Sequence, residues 1–184
     1  MALAPIAAGL SIPAFGQTLP HPADELQITT LLGSKIDLKQ FRGKVCAVEL
    51  LLTWCSHCQA SGGVLEQLWS ELKPKGFEVV GAATNVDANT AKEEIGKFLG
   101  ASGAKFPVGW VTQADTYRFL HAPVTKLLSF PQLLLVDRKG NVVYQHEGEV
   151  DINTLRAEIM KYLAPAAGGA AAPKKLTGSP TKKS

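Results

Sequence analysis

Two cysteines separated by two residues, Cys55 and Cys58, lie where an apolar segment gives way to an amphipathic one. Residues 47–52 are apolar at five of six positions, which indicates a strand buried on both faces. In residues 59–72 the apolar side chains recur at the spacing of one helical face. The sequence therefore predicts a Cys-x-x-Cys at the junction between a core strand and a helix.

This placement has a chemical consequence for the first cysteine. The first backbone amides of a helix have no partner within the helix and carry the positive end of its dipole, so they stabilise a thiolate on Cys55. Cys58 lies within the first helical turn and can reach Cys55 to close a disulfide. A Cys-x-x-Cys between a strand and a helix is the context of a redox motif.

Three further residues near the motif have candidate roles. Glu49 lies in the middle of the predicted core strand, where burial is expected to raise the pKa of its carboxyl, unless the strand lies at an edge and the carboxylate reaches water. His57 can place its imidazole near the Cys55 sulfur, or it is a solvated loop histidine without influence. Cys46 is expected to be a small buried hydrophobic residue.

These residues resemble the TlpA/ResA-like branch of extracytoplasmic thiol–disulfide oxidoreductases, within the thioredoxin-like superfamily that includes the redoxins. The resemblance covers about residues 26–163. The matching segments are residues 33–44, Trp54 with its Cys-x-x-Cys, 97–99, 106–108 and 130–140. The chain departs from the family pattern at Ser56 and His57, where Pro-Pro is frequent, and at Phe130, which is bulkier than the usual residue.

The resemblance implies an α/β, thioredoxin-like fold in which helices flank a central mixed β-sheet, with an N-terminal β-hairpin extension. It also implies that Pro131 is a cis-proline facing the disulfide. The residue that matches Glu49 in thioredoxins proper is a buried acid serving the second cysteine, whereas many members of this branch carry asparagine there. Trp54 would shield the sulfurs. We expect Ser56, His57 and Phe130, with Trp54, to bind substrate or tune the redox pair.

The order of predicted elements agrees with this fold. A hairpin, a βαβα unit, a connecting helix, a β-hairpin and a final helix build a mixed sheet with helices on both faces. Asp151 is expected to cap the last helix, residues 152–163, and Thr90 with Glu93 is expected to form a capping box at the helix 90–100.

The two ends of the chain differ in composition from its centre. Residues 1–25 are predicted to be a signal-peptide-like or disordered segment, residues 26–164 the thioredoxin-like domain, and residues 165–184 a disordered basic tail. The apolar N-terminal segment is interpreted as a cleaved export signal, an uncleaved anchor remnant or a disordered terminus. We therefore expect an extracytoplasmic (periplasmic) protein, exported or tethered to the membrane.

The expected function is a thiol–disulfide oxidoreductase that exchanges a Cys55–Cys58 dithiol or disulfide with protein substrates through a mixed disulfide. No metal or organic cofactor is required. The resemblance implies partners that include apocytochrome c or other exported proteins, and a membrane thiol relay as electron donor. A net charge of +3 gives no support for nucleic-acid binding.

Three alternative functions fit the sequence less well, and one of them, a redox-dead interaction scaffold, is disfavoured by the intact cysteine pair. A non-enzymatic copper-binding module could use Cys55, Cys58 and His57 as soft ligands, although one Cys-x-x-Cys leaves a tetrahedral site incomplete. A peroxiredoxin would need a proline upstream of its cysteine, and none occurs between Lys44 and Cys55. We expect a redox potential between those of thioredoxin and DsbA, about −270 and about −120 mV, and reductase or isomerase activity rather than primary oxidase activity.

Overall fold

The computed structural model describes residues 19–23 and 26–164. This part of the chain forms a mixed sheet of eight strands in the order β1-β8-β7-β4-β5-β6-β2-β3. The strands are β1 (His21–Pro22), β2 (Gln27–Thr29), β3 (Lys35–Asp37), β4 (Val45–Leu51), β5 (Phe77–Ala83), β6 (Val108–Trp110), β7 (Gln132–Val136) and β8 (Asn141–Glu147). The helices are α1 (Ser56–Leu72), α2 (Ala91–Ser102), α3 (Gln113–Phe119) and α4 (Ile152–Leu163).

Strand β4 is the centre of the sheet and is buried at every position. It pairs in parallel with β5 and antiparallel with β7. Alternate side chains point to opposite faces. Ala47 and Leu51 pack in the core with α1, α2 and α4, whereas Val48 and Leu50 pack with α3 and the N-terminal hairpin. The predicted doubly buried strand and the thioredoxin-like α/β fold are therefore confirmed.

The N-terminal hairpin extends this sheet at its far edge. Strands β2 and β3 are antiparallel, and β2 continues the sheet by pairing Thr29 with Trp110 of β6. Gly109 allows the two backbones to approach closely, because a Cβ at this position would lie 2.4 Å from the Thr29 carbonyl oxygen. The expected hairpin extension is confirmed, and its attachment depends on a residue without a side chain.

Two local features differ from the predictions. Strand β1 was not predicted, because a strand of two residues, one of them a proline, shows no periodic pattern. It pairs with β8 and lies before residue 26, where the domain was expected to begin. The prediction of a capping box formed by Thr90 and Glu93 is wrong. The Thr90 side chain makes no cap bond to α2; its hydroxyl and backbone amide both donate to the Asp87 carboxylate, an alternative local hydrogen bond of the loop.

The cap of α4 is confirmed, since the Asp151 carboxylate accepts hydrogen bonds from the amides of Asn153 and Thr154. The predicted signal-like segment and basic tail fall mostly outside the described residues. Among the residues that are described, no helix has the length and apolar character needed to cross a membrane.

Candidate active site

The two cysteines lie at the start of α1, as predicted. Cys55 is the residue before the helix, with an extended backbone (φ −77°, ψ 120°), and its carbonyl accepts a hydrogen bond from the Gln59 amide at 3.0 Å. Its side chain is partly exposed, whereas Cys58 in the first turn is fully buried. Both are free thiols. Only Cys55 can therefore meet a partner from solution.

The environment of Cys58 disfavours its thiolate. Burial raises the pKa of this thiol well above its usual range, and the neighbouring Cys55 and Glu49 add to that increase. A hydrogen bond with the Leu52 backbone acts in the opposite direction but does not cancel it. Cys58 is therefore protonated at neutral pH and needs to lose a proton before it can act as a nucleophile.

Glu49 lies on the face of β4 that packs against α1, between Gly81 of β5 and Leu133 of β7. The carboxyl group is fully buried, and neither oxygen has a hydrogen-bond partner in the described part of the chain. Burial raises the pKa of Glu49 to about 8; the nearby Ser61 hydroxyl lowers it slightly without meeting hydrogen-bond geometry. The alternative of a solvated edge position is therefore wrong.

The segment before β7 lies beside the nucleophile. The peptide bond between Phe130 and Pro131 is cis, as the resemblance implied. The Phe130 carbonyl oxygen lies 4.0 Å from the Cys55 sulfur. The Pro131 carbonyl oxygen accepts a hydrogen bond from the Gly148 amide at 2.8 Å. The cis-proline segment therefore joins the cysteine motif to the turn that follows β8.

The other predicted site residues are at the surface. The ring Nδ1 of His57 lies 2.5 Å from Oε1 of Glu149, and the His57 side chain is 70% exposed. Ser56 is the exposed first residue of α1. Trp54 is 69% exposed, so its ring is available to a partner. Phe130 is half-buried and lines a cavity of about 160 Å³ next to the end of β4.

Sequence reasoning missed two polar residues behind the motif. Thr53 is almost completely buried, and the side chain of Asn85 makes two hydrogen bonds to it. The available signal was that each follows the carboxyl end of one of two neighbouring parallel strands, where polar side chains converge.

As for metals, no group of three or more His, Cys, Asp or Glu side chains within residues 19–23 and 26–164 is arranged to hold an ion.

Residues 7–160 match the Redoxin family. The chain belongs to the Redoxin family. The thiol-disulfide oxidoreductase ResA of Bacillus thuringiensis subsp. konkukian (strain 97-27) is 27% identical to this redoxin over 143 residues, which cover 78% of the chain and 77% of the relative.

Solved structures resemble this redoxin over most of its length. One from Chlorobium tepidum, assigned as the thiol:disulfide interchange protein DsbE, has a TM-score of 0.66 and 26% identity, covering 78% of this chain and 96% of its own. A thioredoxin-family thiol:disulfide interchange protein from Chlorobium tepidum TLS has a TM-score of 0.65 and 21% identity. The match covers 80% of this chain and 99% of that protein. The latter shows the fold alone. This redoxin is thus a thioredoxin-like thiol–disulfide oxidoreductase.

Proposed function

We propose that this redoxin reduces or isomerises disulfides of protein substrates, with Cys55 as nucleophile and Cys58 as resolving cysteine. The observation that carries this proposal is the asymmetry of the pair: Cys55 is accessible before the first helical turn, while Cys58 is buried with a raised pKa. If both thiols were exposed, accessibility would not distinguish the nucleophile from the resolving cysteine.

The reaction moves two electrons from the dithiol to the substrate. The Cys55 thiolate attacks one sulfur of a substrate disulfide, forms a mixed disulfide and releases a substrate thiolate, which takes up a proton. Cys58 then loses its proton and attacks the Cys55 sulfur. This step forms the Cys55–Cys58 disulfide and releases the second substrate thiolate.

Glu49 is the proposed proton acceptor for Cys58. It lies on the sheet face that packs against α1, and its charge is one of the causes that raise the pKa of Cys58. A pKa near 8 leaves the carboxyl able to exchange a proton close to neutral pH, which is where general-base catalysis is most effective. The transfer is direct or passes through a single water molecule.

The substrate segment is proposed to lie along the backbone around Pro131 as an added extended strand. The Phe130 carbonyl, 4.0 Å from the Cys55 sulfur, would then meet the substrate backbone next to the bond that is exchanged. Exposed Trp54 offers an apolar surface beside it. Apocytochrome c thiols and other exported proteins are the proposed substrates, and a membrane thiol relay is the proposed donor.

We place the protein outside the cytoplasm. Support comes from the N-terminal sequence, in which residues 1–20 carry no charged side chain and are largely apolar. Fusion of residues 1–25 to a reporter enzyme active only outside the cytoplasm tests this; activity supports export and its absence contradicts it.

Trapping of mixed disulfides tests the function. In the Cys58→Ser variant the mixed disulfide cannot be resolved, so proteins with an oxidised substrate disulfide should remain covalently bound through Cys55 and be released by reductant. The Cys55→Ser variant is the matched control and should capture none. Equal capture by both variants, or no capture with no reduction of a model protein disulfide by the native protein, would overturn the proposal.

A further inference from the structure

Thr53, two residues before the nucleophile, is held by side chains on both sides. The Asn85 side chain accepts a hydrogen bond from the Thr53 backbone amide at 3.0 Å and donates one to the Thr53 hydroxyl at 2.9 Å. On the other side, the Gln59 side-chain amide donates to the Thr53 carbonyl at 3.1 Å. Thr53 is only 1% exposed, and Asn85 reaches it from an exposed loop position.

The partners come from different elements around the motif. Asn85 lies two residues after the end of β5, and the residue between them, Thr84, donates its backbone amide to the Leu51 carbonyl of β4 at 2.9 Å. Gln59 is the residue after Cys58 on α1. The Thr53 hydroxyl also points to Glu94 of α2, at 3.5 Å. The loop after β5 and the first turn of α1 therefore both bond to Thr53, which fixes the backbone just before Cys55 and ties it to the residue just after Cys58.

We propose that Asn85 is a positioning residue that, through its two hydrogen bonds to Thr53, holds the Cys55–Cys58 loop in the geometry from which the disulfide closes. The proposal deepens the function proposed above and rests on Cys55 and Cys58 being the redox pair. Asn85 acts on the backbone that carries the sulfurs, through its bonds to the Thr53 amide and hydroxyl.

The physical reason is the cost of ordering the loop. Two thiols form a disulfide readily when the backbone already holds them close, and this advantage is measured as an effective molarity. If the loop before Cys55 is loosened, closing the ring requires it to be ordered first, and the effective molarity falls. A less stable disulfide means a more oxidising protein.

Equilibration of the full chain with glutathione provides the test. The fraction of protein with a Cys55–Cys58 disulfide is measured by alkylation and mass spectrometry. All variants carry Cys46→Ala, so that Cys55 and Cys58 are the thiols that can be alkylated. Asn85→Ala should lower the equilibrium constant for disulfide formation about 5-fold, which is less than the full strength of two hydrogen bonds because the dithiol form makes both of them as well. Thr53→Val, which keeps the shape and loses only the hydroxyl, should lower it about 3-fold.

Two further variants separate positioning from general stability. Ser102→Ala removes a hydroxyl whose bonds, in the part of the chain that the structure describes, lie near the end of α2, to the Phe98 carbonyl and the Ala104 amide. It should lower the melting temperature without moving the glutathione equilibrium. The double variant of Thr53→Val with Asn85→Ala should fall less than about 2-fold below Asn85→Ala alone, because the hydroxyl bond to Asn85 is already lost and only the long contact with Glu94, at 3.5 Å, remains to be removed.

The outcomes distinguish the two proposals. If Asn85→Ala changes the equilibrium constant by less than 2-fold while the native protein equilibrates normally, or if Ser102→Ala changes it equally, Asn85 has only a structural role and the inference is overturned. If the native protein itself forms no Cys55–Cys58 disulfide with glutathione, the proposed function fails instead.

Discussion

The imidazole Nδ1 of His57 lies 2.5 Å from the Oε1 atom of Glu149, which joins the second of the two residues between the cysteines to the turn after β8. The same turn bonds to the cis-proline segment through the Gly148 amide and the Pro131 carbonyl. The His146 ring also bonds to the Glu149 carbonyl at 2.9 Å. The charge of a protonated His57 is therefore opposed by a carboxylate, and the ring is held on the side of this turn.

The first prediction concerns this pair. Glu149→Gln removes the partner that holds the His57 ring on the side of this turn and frees the ring to donate a hydrogen bond to the Cys55 sulfur. The rate of Cys55 alkylation by iodoacetamide at pH about 7 should rise roughly 2- to 3-fold, a modest effect because an exposed ion pair is strongly solvated. The rate is followed by mass spectrometry.

His57 must mediate this effect. In a His57→Ala background, Glu149→Gln should leave the alkylation rate unchanged, and Glu147→Gln on the same strand end should leave it unchanged in the native background. An equal increase with and without His57 would show that Glu149 acts on Cys55 by itself.

The second prediction concerns the step after the mixed disulfide. Glu49→Gln removes the proposed acceptor for the Cys58 proton, so release of the second substrate thiolate should slow by roughly 100-fold, at the lower end of general-base contributions. Formation of the mixed disulfide by Cys55 should change little. Rapid mixing with a model disulfide separates the steps; equal slowing of both, or of neither, would exclude the role.

The elements that sequence could predict are those with local signals. The apolar run of residues 47–52 predicted β4, helical spacing predicted α1, and Asp151 predicted the start of α4. The buried position of Glu49 was also predictable, since a lone acid in an apolar strand has few other places to lie.

Contacts between distant segments were not predictable from one sequence. The Glu149 partner of His57 is 92 residues away, and the Asn85 partner of Thr53 is 32 residues away. Neither spacing has a local period, and each pair meets only because strands place their ends at the same edge of the sheet. Strand β1 was missed for a related reason: its two residues are recognised as a strand by their pairing with β8, and that pairing leaves no pattern in the sequence.

The third prediction concerns the docking of the hairpin. Gly109→Ala places a methyl group against the Thr29 carbonyl oxygen and the Ile28 side chain, so it should destabilise the fold by roughly 1–3 kcal/mol or more. Gly96→Ala on α2 is the matched control, because open space surrounds that position and alanine favours a helix by about 0.5–1 kcal/mol. Denaturant unfolding should give opposite signs; a neutral Gly109→Ala would mean that the hairpin is only loosely attached.

The last prediction is the pH dependence of stability caused by Glu49. Its pKa is raised by burial from 4.5 to about 8, so the folded protein holds a proton that the unfolded chain has lost throughout that interval. The free energy of unfolding should therefore fall as pH rises from about 5 to about 8, by up to about 1.4 kcal/mol per pH unit from this group. Glu49→Gln should remove this part of the slope, whereas Glu93→Gln, an exposed acid whose pKa is lowered by Lys97, should keep it. Urea unfolding of the reduced proteins across this range measures the difference; parallel curves for the native protein and Glu49→Gln would show that Glu49 does not titrate as a buried acid.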